Sequence, residues 1–141
     1  MNAAPALLAP VVALVLWCGL IWAWMYATRI PAITRMRMRL DPTRPRGEQM
    51  AELPAAVRWK ADNYNHLMEQ PPLFYAVAIV LALLGDATAA SLGLAWAYVG
   101  LRVVHSLVQV TFNHILTRFS LFFVSSLVLF ALAARAALRV F

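Results

Sequence analysis

A cluster of polar and ionisable residues stands directly before one of the most apolar segments of this chain. Asp62, Asn65, His66 and Glu69 lie close together, and the apolar run from Leu73 to Leu84 follows them. Asn65 and Glu69 are four residues apart, so a helix would place both on one face. Asp62 and His66 would lie on or beside that face. Ionisable side chains at membrane depth are costly, and by default they indicate a functional site.

A second polar set recurs at helical spacing in a later apolar segment. Arg102, His105 and Gln109 are separated by three and four residues, so they share one face of a helix. At the helical rise per residue, Glu69 would lie roughly 13 Å deep, and Arg102 and His105 roughly 15 and 10 Å deep. A carboxylate and a guanidinium at matched depth should pair, which predicts a Glu69–Arg102 ion pair, either within one subunit or across a subunit boundary. The alternative is a shared hydrogen-bond network that also includes His105 and Asn65.

These two polar sets leave two interpretations open. Buried polar residues can serve only to fix the register of packed helices. The large number of polar groups favours instead a binding site for a polar, anionic small molecule near the inner surface, whose apolar walls could admit a lipid-like partner. The spacing shows no metal-ligand set. It also shows no nucleophile–base arrangement, glycine-rich phosphate loop or dinucleotide fingerprint.

The composition predicts an integral membrane protein with a single domain. Of its 141 residues, 63% are hydrophobic and 13% are charged, against roughly 45–50% and 25% in soluble domains. Eight of the twelve Lys and Arg residues lie between Arg29 and Lys60. This clustering indicates a cytoplasmic loop near anionic lipid. It does not indicate nucleic-acid binding, because no aromatic residues are interleaved as a stacking platform. Cys18 stands alone, so it is expected to be a packing residue.

The apolar segments that must position these residues predict an all-α, four-helix membrane bundle. The expected spans are residues 6–27, 56–84, 91–112 and 118–140, with the basic loop at 28–55. Pro71-Pro72 predicts a kink within the second span. No basic region precedes the first apolar run, so it is expected to remain as a spanning helix rather than a cleaved signal peptide. A cytoplasmic loop would leave both termini outside.

Several of these motifs resemble one known family. Glu69-Gln70-Pro71-Pro72-Leu73-Phe74 is similar to the Glu-x-x-Pro-x-Phe signature on the second helix of the MAPEG family, the membrane-associated proteins in eicosanoid and glutathione metabolism. Arg102-Val103-Val104-His105 is similar to the family's third-helix Arg-x-x-His. Arg118 has the spacing of the arginine that starts the fourth helix, and Arg35 is the candidate match for the helix-one arginine. The resemblance covers essentially the whole chain and suggests a divergent bacterial-type member, expected in the inner membrane.

The resemblance implies a homotrimer with three sites between neighbouring subunits and glutathione as the cofactor. In catalytic members an arginine stabilises the glutathione thiolate, which attacks a lipophilic electrophile or a peroxide; Arg118 would take that role here. The residues that would bind glutathione are Arg35, Asn65, His66, Glu69, Arg102, His105 and Gln109. Membrane lipid and a lipophilic small-molecule substrate would be the other partners.

The chain departs from the family pattern at three positions. The Asn three residues before the Glu is His66, the third-helix Tyr is Gln109, and an Arg seven residues before the Glu is Asp62. These departures keep two alternatives to an enzyme open. One is a non-catalytic membrane protein that binds a lipid or another polar metabolite. The other is an accessory subunit of a larger membrane complex, in which the polar faces hold the assembly together.

Overall fold

The chain is built from α-helices joined by short turns and one longer loop. The computed structural model describes residues 3–45, 47–86 and 88–141. The helices are α1 (Ala3–Arg35), α2 (Ala55–Leu67), α3 (Pro71–Leu83), α4 (Ala89–Thr111) and α5 (Ile115–Val140), with a 3-10 helix at Gln49–Glu52. Four stretches are long and apolar enough to cross a membrane, namely Ala6–Arg35, Ala55–Leu83, Ala89–Thr111 and Ile115–Val140. The prediction of an all-α chain with four membrane spans is confirmed.

The second span is divided in two at Pro71 and Pro72, where the sequence predicts a kink. A proline has no N–H to donate within the helix, and its ring clashes with the carbonyl four residues earlier. Helix α2 therefore ends at Leu67, and the N–H of Glu69 bonds at 3.4 Å to the carbonyl of His66, only three residues before it. Helix α3 begins again at Pro71, because the first turn of a helix does not use that N–H.

The buried apolar side chains form two separate clusters. The large cluster joins α1, α3, α4 and α5 and includes Leu14, Phe74, Tyr98 and Leu132. The small cluster joins α1, α2 and α4 and consists of Cys18, Ile21, Leu67 and Val110. Helix α2 therefore packs its apolar face in one cluster and α3 packs in the other, although the two helices are consecutive.

The turn between α3 and α4 is closed by a buried carboxylate. Gly85 ends α3 with a φ of 70°, and Asp86 then accepts hydrogen bonds from the Ser91 hydroxyl at 2.7 Å and the Thr88 N–H at 2.9 Å. Arg135 of α5 donates to the hydroxyls of Ser91 and Thr88, at 2.7 Å each, and lies 3.8 Å from the Asp86 carboxylate. Burial would raise the pKa of Asp86, but the hydrogen bonds from Ser91 and Thr88 outweigh it and lower the pKa to about 2.

The basic loop between α1 and α2 is folded on itself. Gln49 accepts from the N–H of Asp41 at 2.8 Å and donates to its carbonyl at 2.6 Å. Arg44 pairs with Glu48 at 3.6 Å and with Glu52 at 3.1 Å. Part of the positive charge of this loop is therefore matched by carboxylates of the same loop.

Candidate functional site

Helix α2 presents a different polar face to the bundle from the one that the spacing favours. Asn63 is fully buried and His66 is partly buried. Asp62, Asn65 and Glu69 are exposed, and the side chain of Glu69 keeps 69% of its surface accessible. The polar residues that α2 packs against its neighbours are therefore Asn63 and His66.

The Glu69–Arg102 ion pair predicted as a contact within one subunit is wrong. Within the described residues, Oε2 of Glu69 lies 3.0 Å from Nδ1 of His66. Arg102 is fully buried, and its Nη2 donates at 3.0 Å to the backbone carbonyl of His66. That carbonyl is available because α2 ends at Leu67, which leaves the last carbonyls of the helix without their usual partners. A cation beside the end of a helix is also favoured by the helix dipole. The imidazole of His66 thus lies between the two charges that were expected to meet.

The polar face of α4 is the one that the spacing predicts. Arg102, His105 and Gln109 are all buried on it. The Oε1 of Gln109 accepts a hydrogen bond at 2.9 Å from Nδ2 of Asn63. Together with the bond from Arg102 to His66, this pair joins α2 to α4 at two levels. The polar faces of the two helices therefore meet, but through other residues of α2.

Gln70, in the break between α2 and α3, makes a third polar contact that the spacing analysis does not identify. Its Nε2 donates to Oγ of Ser126 on α5 at 2.8 Å, and its Oε1 accepts from the Tyr98 hydroxyl at 3.2 Å. The ring of Tyr98 stacks on Phe74 with centroids 4.6 Å apart. Gln70 is seven residues after Asn63, which is about two helical turns. This spacing could have predicted that both residues lie on the face that packs against the other helices.

The imidazoles of His66 and His105 lie against each other beside the guanidinium of Arg102. Their ring centroids are 4.8 Å apart, and the planes are tilted by 36°. The ring of Phe122 on α5 lies 5.2 Å from that of His66 and 5.7 Å from the guanidinium carbon of Arg102. The Nδ1 of His105 is buried and has no hydrogen-bond partner within the described residues. The position of the His105 ring is therefore set by packing, and that of the His66 ring by packing together with hydrogen bonds.

These imidazoles line a groove between α4 and α5, which we call the histidine groove. Its volume is about 430 Å³, and it is lined by His66, His105, Ile115, Arg118, Phe119 and Phe122. Arg118 is half-buried, and its Nη1 donates to Oδ1 of Asn113. An adjoining cavity of about 650 Å³ shares Ile115 and Phe119. A guanidinium and two imidazoles thus face a wall of aliphatic and aromatic side chains. Such a site can hold a negatively charged atom next to a lipophilic molecule.

A smaller cavity lies between the basic loop and the exposed side of α2, and we call it the loop cavity. Its volume is about 220 Å³, and it is lined by Gly47, Met50, Ala51, Arg58, Ala61, Asp62 and Asn65. Among the residues that the structure describes, it combines one cation, one carboxylate and one amide. Lys60 is not part of it, because its Nζ donates to the carbonyl of Ala56 at 2.7 Å and lies 5.3 Å from the centre of the Trp24 ring.

The residues predicted for the site are distributed over three environments within one chain. The histidine groove contains His66, His105 and Arg118, and the buried contacts between α2 and α4 contain Arg102 and Gln109. Arg35, Asn65 and Glu69 are exposed. Within the described residues, Arg35 makes no side-chain hydrogen bond or ion pair. The exposed members are free to contact another molecule, whether a ligand, a lipid or a second copy of the chain.

Comparison with known proteins gives one informative result. A protein-family model described as "MAPEG family" matches residues 7–138, which is nearly the whole chain. No curated protein and no solved structure gives a significant match.

Proposed function

Because this chain belongs to the MAPEG family, we propose that it is a glutathione-dependent transferase or peroxidase that acts on lipophilic electrophiles. The family contains glutathione transferases and peroxidases as well as non-catalytic members. The four apolar helices and the family together make the chain an integral membrane protein. Its substrate would then reach the site from the bilayer.

The histidine groove is the observation that carries this proposal. The guanidinium of Arg118 faces a groove whose other walls include Phe119 and Phe122. A guanidinium next to a thiol lowers the pKa of that thiol and increases the fraction present as the nucleophilic thiolate. Arg118 would stabilise the thiolate of glutathione, and the apolar wall would bind the electrophile that it attacks.

We further propose that the working unit is a homotrimer with the sites between subunits. Arg58, Asp62 and Asn65 are exposed on α2, and Glu69 is exposed in the break that follows it. All four belong to a stretch able to span a membrane. Polar and charged side chains facing lipid are costly, so a neighbouring subunit is the natural cover for them. Glu69 and Asn65, together with Arg35, would then hold the peptide part of glutathione at the subunit boundary.

Isothermal titration of the detergent-purified protein with glutathione tests the proposal directly. We expect binding heat at or below millimolar glutathione, and turnover with either a chlorinated nitrobenzene or an organic hydroperoxide. Arg118→Ala should reduce turnover by roughly 10²-fold or more, since it removes the stabilising charge. Arg139→Ala is the matched control, because Arg139 is an exposed arginine at the other end of α5. If millimolar glutathione produces no heat, the proposed cofactor is wrong.

Substitution of Glu69 separates a ligand site from an assembly contact. Glu69→Gln keeps the shape of the side chain and removes its charge. Loss of glutathione binding by an intact trimer supports a site between subunits. Loss of the trimer itself, seen by native mass spectrometry, supports an accessory subunit whose polar faces hold an assembly together.

The loop cavity favours a second candidate, a non-catalytic protein that binds a different polar metabolite. Asp62 brings a negative charge to this cavity, and a carboxylate opposes an anionic ligand such as glutathione. Arg58 is the cation that lines the same cavity, while Lys60 is directed toward Trp24. Native mass spectrometry of the purified protein would identify what remains bound. An empty protein with ordinary glutathione turnover would contradict this second candidate.

We also propose the orientation that the basic loop favours, with residues 28–55 in the cytoplasm and both termini outside, in a bacterial inner membrane. The support is the concentration of Lys and Arg in that loop. Reporter fusions at the C-terminus and within the loop should give opposite signals for the two sides. A cytoplasmic C-terminus would overturn the orientation.

A further inference from the structure

We propose that His66 is the base that removes the proton from the bound thiol, and that Glu69 is the residue that positions it. This inference rests on the proposed function, because it concerns the chemistry of the same groove. It is carried by the contacts that His66 makes to Glu69, Arg102 and His105. The family pattern has an asparagine at this position, and an amide cannot accept a proton near neutral pH.

The contacts of the imidazole fix which nitrogen is free. Nδ1 of His66 lies 3.0 Å from Oε2 of Glu69. An ionised carboxylate only accepts hydrogen bonds, so Nδ1 must carry the proton. Nε2 lies 3.4 Å from Nη1 of Arg102, which only donates. Both contacts therefore leave an unprotonated Nε2 on His66, which is the form that a general base requires.

The position of the ring is fixed as well as its protonation. His66 lines the histidine groove together with Arg118. The centroid of the His105 ring lies 4.8 Å from that of His66, and the centroid of the Phe122 ring lies 5.2 Å from it. A base that is held by a third group and lines the same groove as the nucleophile is the arrangement that activates serine and cysteine nucleophiles in other enzymes.

The proton balance of the step explains why an internal base would help. The S–H bond of the thiol breaks, the proton moves to Nε2 of His66, and the electron pair stays on sulfur beside Arg118. The product is a thiolate and an imidazolium, so the net charge of the groove does not change. Release of the proton to water would instead leave an added anion in a site of low dielectric constant. The thiolate then forms a bond to the electrophilic carbon, and the bond from that carbon to the leaving group breaks. The leaving group departs with the electron pair of that bond and takes the proton from Nε2 of His66.

The charged groups around His66 act in opposite directions on its protonated form. Glu69, in the break after α2, stabilises the imidazolium by its negative charge. Arg102 of α4 and Arg118 of α5 oppose it, and His105 of α4 contributes a second imidazole. On protonation, the weak contact of Nε2 with Arg102 is lost, but Arg102 keeps its bond to the backbone carbonyl of His66. The thiolate that forms beside Arg118 offsets the repulsion from that arginine.

The test measures where the proton of the thiol goes when glutathione binds. The full-length protein in detergent is titrated with glutathione, and the ultraviolet absorbance of the thiolate reports its ionisation. Calorimetry in two buffers with different heats of ionisation reports the protons released to solvent. In the unaltered protein we expect the thiolate band with little or no proton release. In His66→Asn, either the band is lost or it is accompanied by release of about one proton for each thiolate.

Three further variants make the test specific. Glu69→Gln removes the carboxylate that holds Nδ1 of His66, and at glutathione concentrations that saturate this variant it should move the appearance of the thiolate to a pH about one unit higher. His66→Gln should behave like His66→Asn. His114→Asn is the matched control, since His114 caps the start of α5 outside the histidine groove and asparagine is a good cap; its band and proton count should equal those of the unaltered protein.

The outcomes separate this inference from the proposed function. An unchanged thiolate band and proton count in His66→Asn, or glutathione binding without any thiolate band in the unaltered protein, would overturn the role of His66 and leave glutathione binding standing. Absence of glutathione binding in the unaltered protein would overturn the proposed function and this inference together.

Discussion

The hydrogen bond between Asn63 and Gln109 should make a measurable contribution to the packing of α2 on α4. The two side chains are 0% and 2% exposed, and the bond from Nδ2 of Asn63 to Oε1 of Gln109 is 2.9 Å long. Gln109→Leu removes the acceptor and leaves a buried amide without a partner, which costs about 1–3 kcal/mol. Asn63→Leu leaves Oε1 of Gln109 unpaired but also removes the buried Oδ1 of Asn63, which has no partner within the described residues, so its cost should be smaller.

The double variant supplies the decisive measurement. With both amides replaced by leucine, no polar group is left unpaired, so the loss should be smaller than the sum of the two single losses. Hydrogen bonds between membrane helices show coupling energies of about 0.6 kcal/mol on average and up to about 1.7 kcal/mol, and a fully buried pair should lie in the upper part of that range. Unfolding of the four proteins by a denaturing detergent in mixed micelles gives the cycle. Strictly additive losses would refute the reasoning, and would leave Gln109 available as a ligand-binding residue.

Two further predictions concern contacts away from the histidine groove. The pKa of Asp86 is about 2, below its ordinary value of 3.8, so its charged form stabilises the fold by about 2 kcal/mol at neutral pH, and this contribution is lost as the pH falls through about 2. Asp86→Asn should therefore lower the unfolding free energy at pH near 7 and lose that effect in strong acid; an equal effect at both would contradict the assignment. Ser126→Ala removes the acceptor of the Gln70 amide and should cost about 0.5–1.5 kcal/mol. Ser120→Ala is the matched control, because the exposed Ser120 bonds, within the part of the chain that the structure describes, only to the carbonyl of Leu116. Its cost should stay within about 0.5 kcal/mol.

The features that the sequence predicts well are those that depend on hydrophobicity and on proline. Four long apolar stretches can only be buried in a membrane as helices, because the bilayer offers the backbone no other hydrogen-bond partners. The break at Pro71 and Pro72 follows from the missing N–H groups. The polar face of α4 is also predictable. Arg102, His105 and Gln109 are the strongly polar residues in an otherwise apolar segment, and their spacing assigns all three to one face of the helix.

The face of α2 is not predictable in the same way. This helix carries polar residues on more than one side, so both Asn65 with Glu69 and Asn63 with His66 satisfy helical spacing. Leu67 is fully buried and follows Asn63 by four residues, and that apolar residue marks the packed face. The Glu69–Arg102 pair does not form within one subunit, for a related reason. The helix ends before Glu69, and its end supplies a backbone carbonyl that satisfies the buried guanidinium.

The break between α2 and α3 places a hinge in the middle of one span. The helical backbone hydrogen bonds are interrupted between α2 and α3, so a movement of α2 need not move α3. The two helices also pack in different apolar clusters. Gln70 sits at the joint and is tied by side-chain bonds to α4 and α5. We therefore expect that a neighbouring subunit or a ligand that binds on the loop side of the molecule changes the tilt of α2. The arrangement of α1, α3, α4 and α5 should stay the same. Spin labels on exposed positions of α2, α3 and α5 would test this. The distance between α2 and α3 should change, and the distance between α3 and α5 should not.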